Sequence, residues 1–363
     1  MKRSQARGGH VLVTGGAGFI GTNLVFRLLC AGFDVVVLDD FSRSGVEHNA
    51  DWLAQLDSPR LRIVRGDVRD PRAVEACVQG SSRVFHFAAQ VAVTTSLSDP
   101  LLDFETNARG TLNVLEAIRR QQRVPSLVFT STNKVYGALP DVSLEKRVTR
   151  YAPSDPAFAA GVSERQPLDF HSPYGCSKGA ADQYVRDYAR CFDLPAVVFR
   201  MSCIYGPHQC GNEDQGWLAH FVLAALKQAP LSLYGDGLQV RDVLFVEDLL
   251  DALCLASERA EALAGRAFNI GGGPANTVSL LEALERIRSL VGRSPVLSWR
   301  APRVGDQKYY VSNTEAFTEA TGWTAKTSLD AGLERLARWL REGALDIGGR
   351  TAVQPQIRNA VGA

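Results

Sequence analysis

The sequence predicts an α/β fold, a doubly wound parallel sheet with a smaller mixed α/β lobe attached. Two observations lead there. Short apolar runs alternate with helical patterns through about residue 200, and the first run opens directly into a glycine-rich turn. A third sets the scale: 363 residues, 45% hydrophobic and 22% charged, give ample length to bury a core with ordinary globular composition.

Taken in order, residues 11–14 form a buried strand that runs into Gly15-Gly-Ala-Gly-Phe-Ile-Gly21 and then a helical pattern through Leu24, Leu28 and Leu29. Gly32 stops that helix, and a second strand, 35–38, ends in Asp39-Asp40. Gly16, Gly18 and Gly21 have the G-x-G-x-x-G spacing, with glycines for the tight turn, for close backbone approach to a pyrophosphate, and for helix–strand packing. The helix N-terminus adds free N–H groups and a positive dipole end. Asp39 falls about 20 residues on, where a carboxylate accepts from the adenosine ribose and repels a 2′-phosphate. This strand–turn–helix–strand–acid unit predicts a Rossmann-type dinucleotide site that favours NAD over NADP.

The alternation continues through strand 61–64, with Asp67 near its end within reach of an adenine amino group. Strand 84–89 ends in the small pair Ala88-Ala89, against which a cofactor can lie. A helix is predicted over 107–120, then a strand at 126–130 leading into Ser131-Thr-Asn-Lys-Val-Tyr136. Helix 174–192 precedes strand 196–199. In such sheets ligands sit outside the carboxyl ends of the strands, where the glycine turn, Ala88-Ala89, Thr132 and Tyr205 all fall.

After residue 200 the pattern loosens. Residues 206–217 read as a loop, followed by helix 218–227, strand 231–234, a Gly-Asp-Gly turn and strand 239–245. Helix 246–258 and strand 267–270 return to the sheet, and helices 279–291 and 329–342 complete the chain. The reading is a cofactor domain over 1–200 joined by 243–274, a substrate lobe from 201–242 and 275–342, and a tail over 343–363.

Helix 174–192 carries the reactive pair. Tyr174 and Lys178 stand four residues apart, on one face and one turn apart. An ammonium there favours the phenolate and lowers the tyrosine pKa towards the range of a general base. Pro173 suits the first turn and Ser172 the N-cap. Alone, Y-x-x-x-K is a weak signal, more often that of an ordinary amphipathic helix. Its weight comes from the dinucleotide unit upstream.

Other chemistries are disfavoured. Net charge is +1 with no basic run, so no nucleic-acid partner is expected. Seven scattered cysteines, with no C-x-x-C spacing, indicate neither a zinc site nor a disulfide framework but thiols in a reducing compartment. His10, His48, His86, His171, His208 and His220 show no ligand spacing, so no metal is expected. The absence of an uninterrupted apolar stretch of about 18 residues predicts no membrane span. The expectation is a cytoplasmic protein.

With these residues in place, the chain resembles the extended short-chain dehydrogenase/reductases of the nucleotide-sugar epimerase and dehydratase type. The likeness spans residues 11 to about 342. It rests on Thr14-Gly-Gly-Ala-Gly-Phe-Ile-Gly21, Asp39, Asp67, Ala88-Ala89, Asn107, the Tyr174/Lys178 pair and Arg200-Met-Ser-Cys-Ile-Tyr-Gly-Pro207. Narrower stretches are similar to the CDP-paratose (tyvelose) 2-epimerase subgroup: Ala89-Gln-Val-Ala-Val-Thr-Thr-Ser96, Ser131-Thr-Asn-Lys-Val-Tyr-Gly137, the run from Asp169 to Tyr184, and Asp214-Gln-Gly-Trp217.

The resemblance implies Tyr174 as base, Lys178 on the nicotinamide ribose, and Thr132 on the reacting sugar hydroxyl. It implies a cofactor contact set of Gly15, Gly18, Phe19, Ile20, Asp39, Asp40, Asp67, Val68, Phe87, Ala88, Ala89, Gln90, Asn107, Thr130 and Met201. For the nucleotide-sugar it implies Gln90, Thr94, Thr132, Asn133, Lys134, Cys203, Gln215, Trp217, Arg241, Arg303 and Asp306. Dehydratases of this kind carry an Asp-Glu pair after the threonine, and sugar-acid decarboxylases a glutamate. Asn133-Lys134 stand there, which argues against both. Cys203 replaces a commoner asparagine and cannot make its amide contact to the diphosphate. Arg241 and Arg303 suit diphosphate by guanidinium geometry.

The implied activity is redox-neutral epimerisation on a tightly bound, recycled NAD, most closely at C2 of a CDP-deoxyhexose. A UDP-hexose or UDP-glucuronate 4-epimerase is the near rival. An ordinary dehydrogenase and a catalytically silent NAD-binding sensor are the alternatives of other classes. The resemblance also implies a homodimer through helices near 107–120 and 174–192.

Overall fold

The computed structural model describes residues 8–303 and 305–346, with side chains through 343. Seven strands form one sheet in the spatial order Ala267–Ile270, Ala196–Met201, Ser126–Thr132, Ser81–His86, His10–Thr14, Val35–Asp39, Leu61–Arg65. Every neighbouring pair is parallel. The chain starts in the middle, builds to one edge, then crosses back beside its first strand and builds to the other. That reversal, between His10–Thr14 and Ser81–His86, opens the crevice where ligands bind in such folds.

The strands read as continuous apolar runs because both faces of the sheet are covered. Val35–Asp39 is buried at all five positions. On one face Leu24, Val25 and Leu28 of helix Phe19–Cys30 meet Leu249, Leu250 and Leu253 of helix Val246–Glu258 across Val11, Val13 and Phe85. On the other, Val74, Val114, Ile118, Ala181 and Val185, from helices Pro71–Val78, Gly110–Arg119 and Ser172–Phe192, cover Leu12, Val84 and Leu127.

A second core lies beyond the carboxyl edge. Strand Val240–Phe245 pairs antiparallel with Thr277–Ser279 and parallel with Tyr309–Tyr310 and Cys203–Tyr205. Pro230–Tyr234 pairs in parallel with Val296–Arg300. Helices Trp217–Lys227, Leu280–Val291 and Leu329–Asp346 close over them through Phe221, Ile287, Leu333 and Leu336. The last helix continues to Asp346, past the 342 boundary read from sequence. Residues 347–363 of the expected tail lie outside the described residues.

One helix departs from expectation. The segment read as 107–120 begins at Pro100, with Asp99 capping Leu102 N–H at 2.9 Å. It runs through a π-helical turn, Glu105–Arg109, before continuing as Gly110–Arg119. A π turn inserts one residue and re-aims the side chains it holds, here Asn107.

Candidate active site

The glycine turn is built from steric necessity. Gly15 has φ +66°, and a Cβ there would stand 2.6 Å from Ala88 N. At Gly21 a Cβ would come within 2.6 Å of Gly16 Cα, so the helix packs against the turn only through glycine. Gly18 precedes helix Phe19–Cys30 without a side-chain cap, which leaves the first-turn N–H groups free for an anion. Phe19, Ile20, Phe87 and Met201 are half-buried around this floor, and Val68 is buried.

Asp39 ends its strand buried, accepting from Ala17 N–H through Oδ2 and from Phe41 N–H through Oδ1, both at 3.0 Å. Burial raises its pKa, and those N–H groups draw it back. Each oxygen keeps a second lone pair, so the carboxylate still accepts from a ribose. Asp40 is exposed and takes Ser42. Asp67 is held by Arg69 through its backbone N–H and guanidinium, at 2.8 Å for N and Nε.

Behind these strand ends runs a hydrogen-bonded chain that the sequence reading missed. Thr14 Oγ1 receives Ala88 N–H at 3.3 Å and meets His86 Nδ1 at 2.6 Å. His86 Nε2 lies 3.0 Å from Thr111 Oγ1, which donates to Asn107 O at 2.6 Å. Burial first, then the Lys178 charge, pushes His86 down to about 3, so it is a neutral spacer. Asn107, aimed by the π turn, accepts from Gln90 N–H at 2.8 Å and donates to Gln90 O at 3.0 Å. Asn107 therefore fixes the Gln90 backbone beside Ala88 and Ala89. Thr130 donates to His86 O.

Helix Ser172–Phe192 brings the reactive pair to the same edge. Ser172 Oγ accepts Gly175 N–H at 3.2 Å, but Ser172 is the first residue of the helix rather than its expected N-cap, a position taken by His171 without a side-chain cap. Tyr174 and Lys178 are buried. Tyr174 shares a hydrogen bond with the side chain of Thr132. Thr132 Oγ1 also caps the 3-10 turn Asn133–Tyr136 by accepting Lys134 N–H at 3.2 Å.

The electrostatics correct one expectation. Tyr174 is not lowered: burial pushes it up to about 12, the Thr132 hydrogen bond lowers it, and the charge of Asp103 raises it. Desolvation of the phenolate is the largest influence in the protein alone. Lys178 is itself pushed down to about 7 by burial, against the pull of Asp103 and Asp182. Its ammonium lies 4.3 Å from the Phe129 ring centroid and makes no hydrogen bond to a described residue. A buried ammonium over Phe129 with no acceptor among the described residues fits hydroxyls brought in by a ligand.

The opposite wall comes from the lobe. Lys134 Nζ donates to Gly305 O at 2.9 Å, and burial followed by the Arg241 charge pushes it down to about 8. Arg241 is braced by Val240 O at 2.8 Å and Gln307 O at 2.6 Å. Gln307, absent from the sequence reading, also meets Asn133 Nδ2 at 3.4 Å and donates to Gly137 O at 2.5 Å. Cys203 receives Trp217 Nε1–H at 3.4 Å, and burial raises its thiol. Arg303 donates to Glu213 O at 2.9 Å and lies 3.7 Å over the Tyr234 ring. Gln215 is half-buried; Thr94 and Asp306 are exposed at the rim.

A family model described as the NAD dependent epimerase/dehydratase family matches residues 11–271. The CDP-paratose 2-epimerase of Salmonella typhi is 40% identical over 336 residues, covering 91% of this chain and 98% of that protein. The UDP-glucose 4-epimerase of Mycolicibacterium smegmatis is 33% identical over 337 residues, covering 92% and 98%. The Thermus thermophilus UDP-glucose 4-epimerase in complex with NAD is similar in structure, with a TM-score of 0.75 at 32% identity, over 92% of this chain and 99% of that one. A dTDP-glucose 4,6-dehydratase of Streptomyces venezuelae with NAD bound has a TM-score of 0.78 at 30% identity, over 92% and 97%.

Proposed function

This chain belongs to the NAD-dependent epimerase/dehydratase family, and on that footing we propose that it is a nucleotide-diphosphate-sugar epimerase of the CDP-paratose 2-epimerase kind. One observation carries the reading. Thr132, Tyr174 and Lys178 gather at strand Ser126–Thr132, Tyr174 beside Thr132 and Lys178 over Phe129, while Asn133 and Lys134 occupy the positions at which dehydratases of the family carry their acid–base pair. The chain thus keeps a base for a sugar hydroxyl and lacks the pair for losing water. The 40% identity to a CDP-paratose 2-epimerase supports C2 of a CDP-deoxyhexose.

The residues present fit NAD: the Gly15 cradle and free helix N-terminus for the pyrophosphate, Asp39 for the adenosine ribose, and Lys178 for the second ribose. NAD, when bound, supplies the hydride acceptor and then donor, and adds a positive charge to a site where Tyr174 must give up its proton. Tyr174 takes the proton of the reacting hydroxyl, Thr132 orients that hydroxyl, and Lys178 holds the ribose and favours the phenolate. Arg241, Arg303 and Lys134 hold the diphosphate end, with Trp217 and Cys203 as the pocket wall. A held diphosphate lets the keto sugar turn its other face without leaving. Residues 1–200 with 243–274 serve the cofactor, and 201–242 with 275–342 the sugar.

The protein is further proposed to work in the cytoplasm as a homodimer. Leu101, Phe104, Tyr184 and Phe192 are exposed on the helical segments that the family pairs. No helix among the described residues is long and apolar enough to cross a membrane.

The deciding experiment incubates the purified protein with CDP- and UDP-sugars without added NAD and follows ring proton couplings by NMR. Inversion at C2 of a CDP-sugar is expected. Inversion at C4 of a UDP-sugar selects the rival epimerase, stoichiometric NADH a dehydrogenase, and no inversion at any centre sinks the epimerase reading.

A further inference from the structure

Beneath the reactive pair lies a carboxylate that the mechanism above does not use. Asp103 has no exposed surface and sits one turn before Asn107, where the helix starting at Pro100 enters its π turn. Its Oδ2 accepts Ser177 O–H at 2.5 Å, and its Oδ1 accepts Asn107 Nδ2–H at 3.1 Å. Asn107 Nδ2 also lies 3.0 Å from Ser177 Oγ, which closes a three-membered ring of polar side chains. Ser177 immediately precedes Lys178 in the chain, and Asn107 fixes Gln90 at the cofactor floor. One buried carboxylate therefore ties together the helix bearing the pair and the turn bearing the cofactor contact.

We propose that Asp103 is a positioning residue for this reaction, a fixed negative charge that keeps Lys178 an ammonium and holds the Lys178 turn against Asn107. The proposal rests on the epimerase site assigned above. The charged groups around Lys178 leave this role to Asp103. Two carboxylates act on Lys178, Asp103 and Asp182. Asp182, one turn further along the same helix, is gripped by Arg200 through Nε and Nη2, each at 2.9 Å, and Arg200 is itself buried on strand Ala196–Met201. Its charge is thereby largely cancelled. From strand Ser81–His86 comes His86, held neutral by burial. Strand Ser126–Thr132 offers the Phe129 ring. Asp103 makes no ion pair among the described residues; burial raises its pKa, while the Ser177 hydrogen bond and the Lys178 charge favour its ionised form. The same charge raises Tyr174. Asp103 thus secures the ribose-holding cation and leaves the phenolate to be favoured by charge arriving with the cofactor.

The signs are definite. With Asp103→Asn, both Lys178 and Tyr174 lose their protons at lower pH, so the alkaline and acid limbs of the epimerisation profile move the same way. A nearby unit charge typically moves a buried group by about one pH unit or more. The experiment titrates the holoprotein by NMR with lysine labelled at 13Cε, assigning Lys178 by its loss in Lys178→Arg. A fall of about one unit in the Lys178 midpoint in Asp103→Asn, restored towards wild type in Asp103→Glu, is expected, and this readout does not require the chain to be an epimerase. An unchanged midpoint and unchanged limbs overturn the proposal. Should Asp103→Asn fail to fold, isotope-edited infrared spectra of the wild-type holoprotein at pH 7.5 decide instead: an ionised Asp103 upholds the proposal, and a protonated one overturns it.

Discussion

At the scale of single residues the site is a contest between burial and charge. Tyr174 stands at about 12 because the phenolate has been taken out of water, and one hydrogen bond from Thr132 does not compensate. Removing its hydroxyl deletes that one polar contact and little packing. Tyr174→Phe is therefore expected to keep its melting temperature and its bound NAD while losing about 10²- to 10⁴-fold in turnover, the range for one acid–base group. Thermal melts, absorbance of the retained cofactor and the NMR assay check the three parts, and undiminished turnover would remove Tyr174 from the role of base. Tyr174, Lys178 and Thr132 were legible in the sequence because chemistry and spacing sit together in short motifs. Asp103, His86 and Gln307 were not. Each matters through partners 25 to 174 residues away, and spacing carries no signal of such contacts.

At the scale of elements, alternation placed six of the seven sheet strands to within two residues because buried parallel strands are continuous apolar runs, whereas the strand read as 84–89 lies at Ser81–His86, with Ala88-Ala89 beyond its end. Strand Val296–Arg300 escaped that reading. Val296, Leu297 and Trp299 face solvent, so the strand carries neither an alternating nor a buried signature, and it exists through pairing with Pro230–Tyr234. The π turn escaped too, since nothing in Glu105–Arg109 departs from helical composition. Both helical segments meeting at Asp103 also present apolar residues outward, Leu101 and Phe104 on one, Tyr184 and Phe192 on the other, with Leu101 69% exposed. Exposed large apolar side chains on neighbouring helices suit an association surface. The double variant Leu101→Glu/Phe104→Glu is expected to sediment as a monomer where the wild type sediments as a dimer, because two carboxylates per protomer would meet across the two-fold axis. A wild type that is monomeric at micromolar concentration would end the dimer proposal.

At the scale of the molecule, the site joins two cores, and the cations set there cost stability. Lys134 projects from the carboxyl end of the sheet to the loop at Gly305, in the field of Arg241. Burial and that like charge bring it from 10.5 to about 8. Between those values the unfolded chain still holds the lysine proton while the folded chain has released it, so unfolding takes up a proton and stability rises with pH across the window. At pH 7 the folded protein instead carries the full penalty of the desolvated ammonium. Lys134→Met is accordingly expected to be more stable than wild type at pH 7 by about 1 to 2 kcal/mol, allowing for the lost bond to Gly305 O and partial exposure. The advantage should shrink as pH climbs from 8 towards 10.5. Denaturant titrations at pH 7 and pH 10 measure both. The same variant should bind a nucleoside diphosphate about tenfold more weakly, equivalent to about 1.4 kcal/mol, by calorimetry. Gained stability with unchanged affinity would make Lys134 a passive bridge between the cores. Gained stability with lost affinity is the signature of a cation kept at this junction for an anionic ligand, against the preference of the fold.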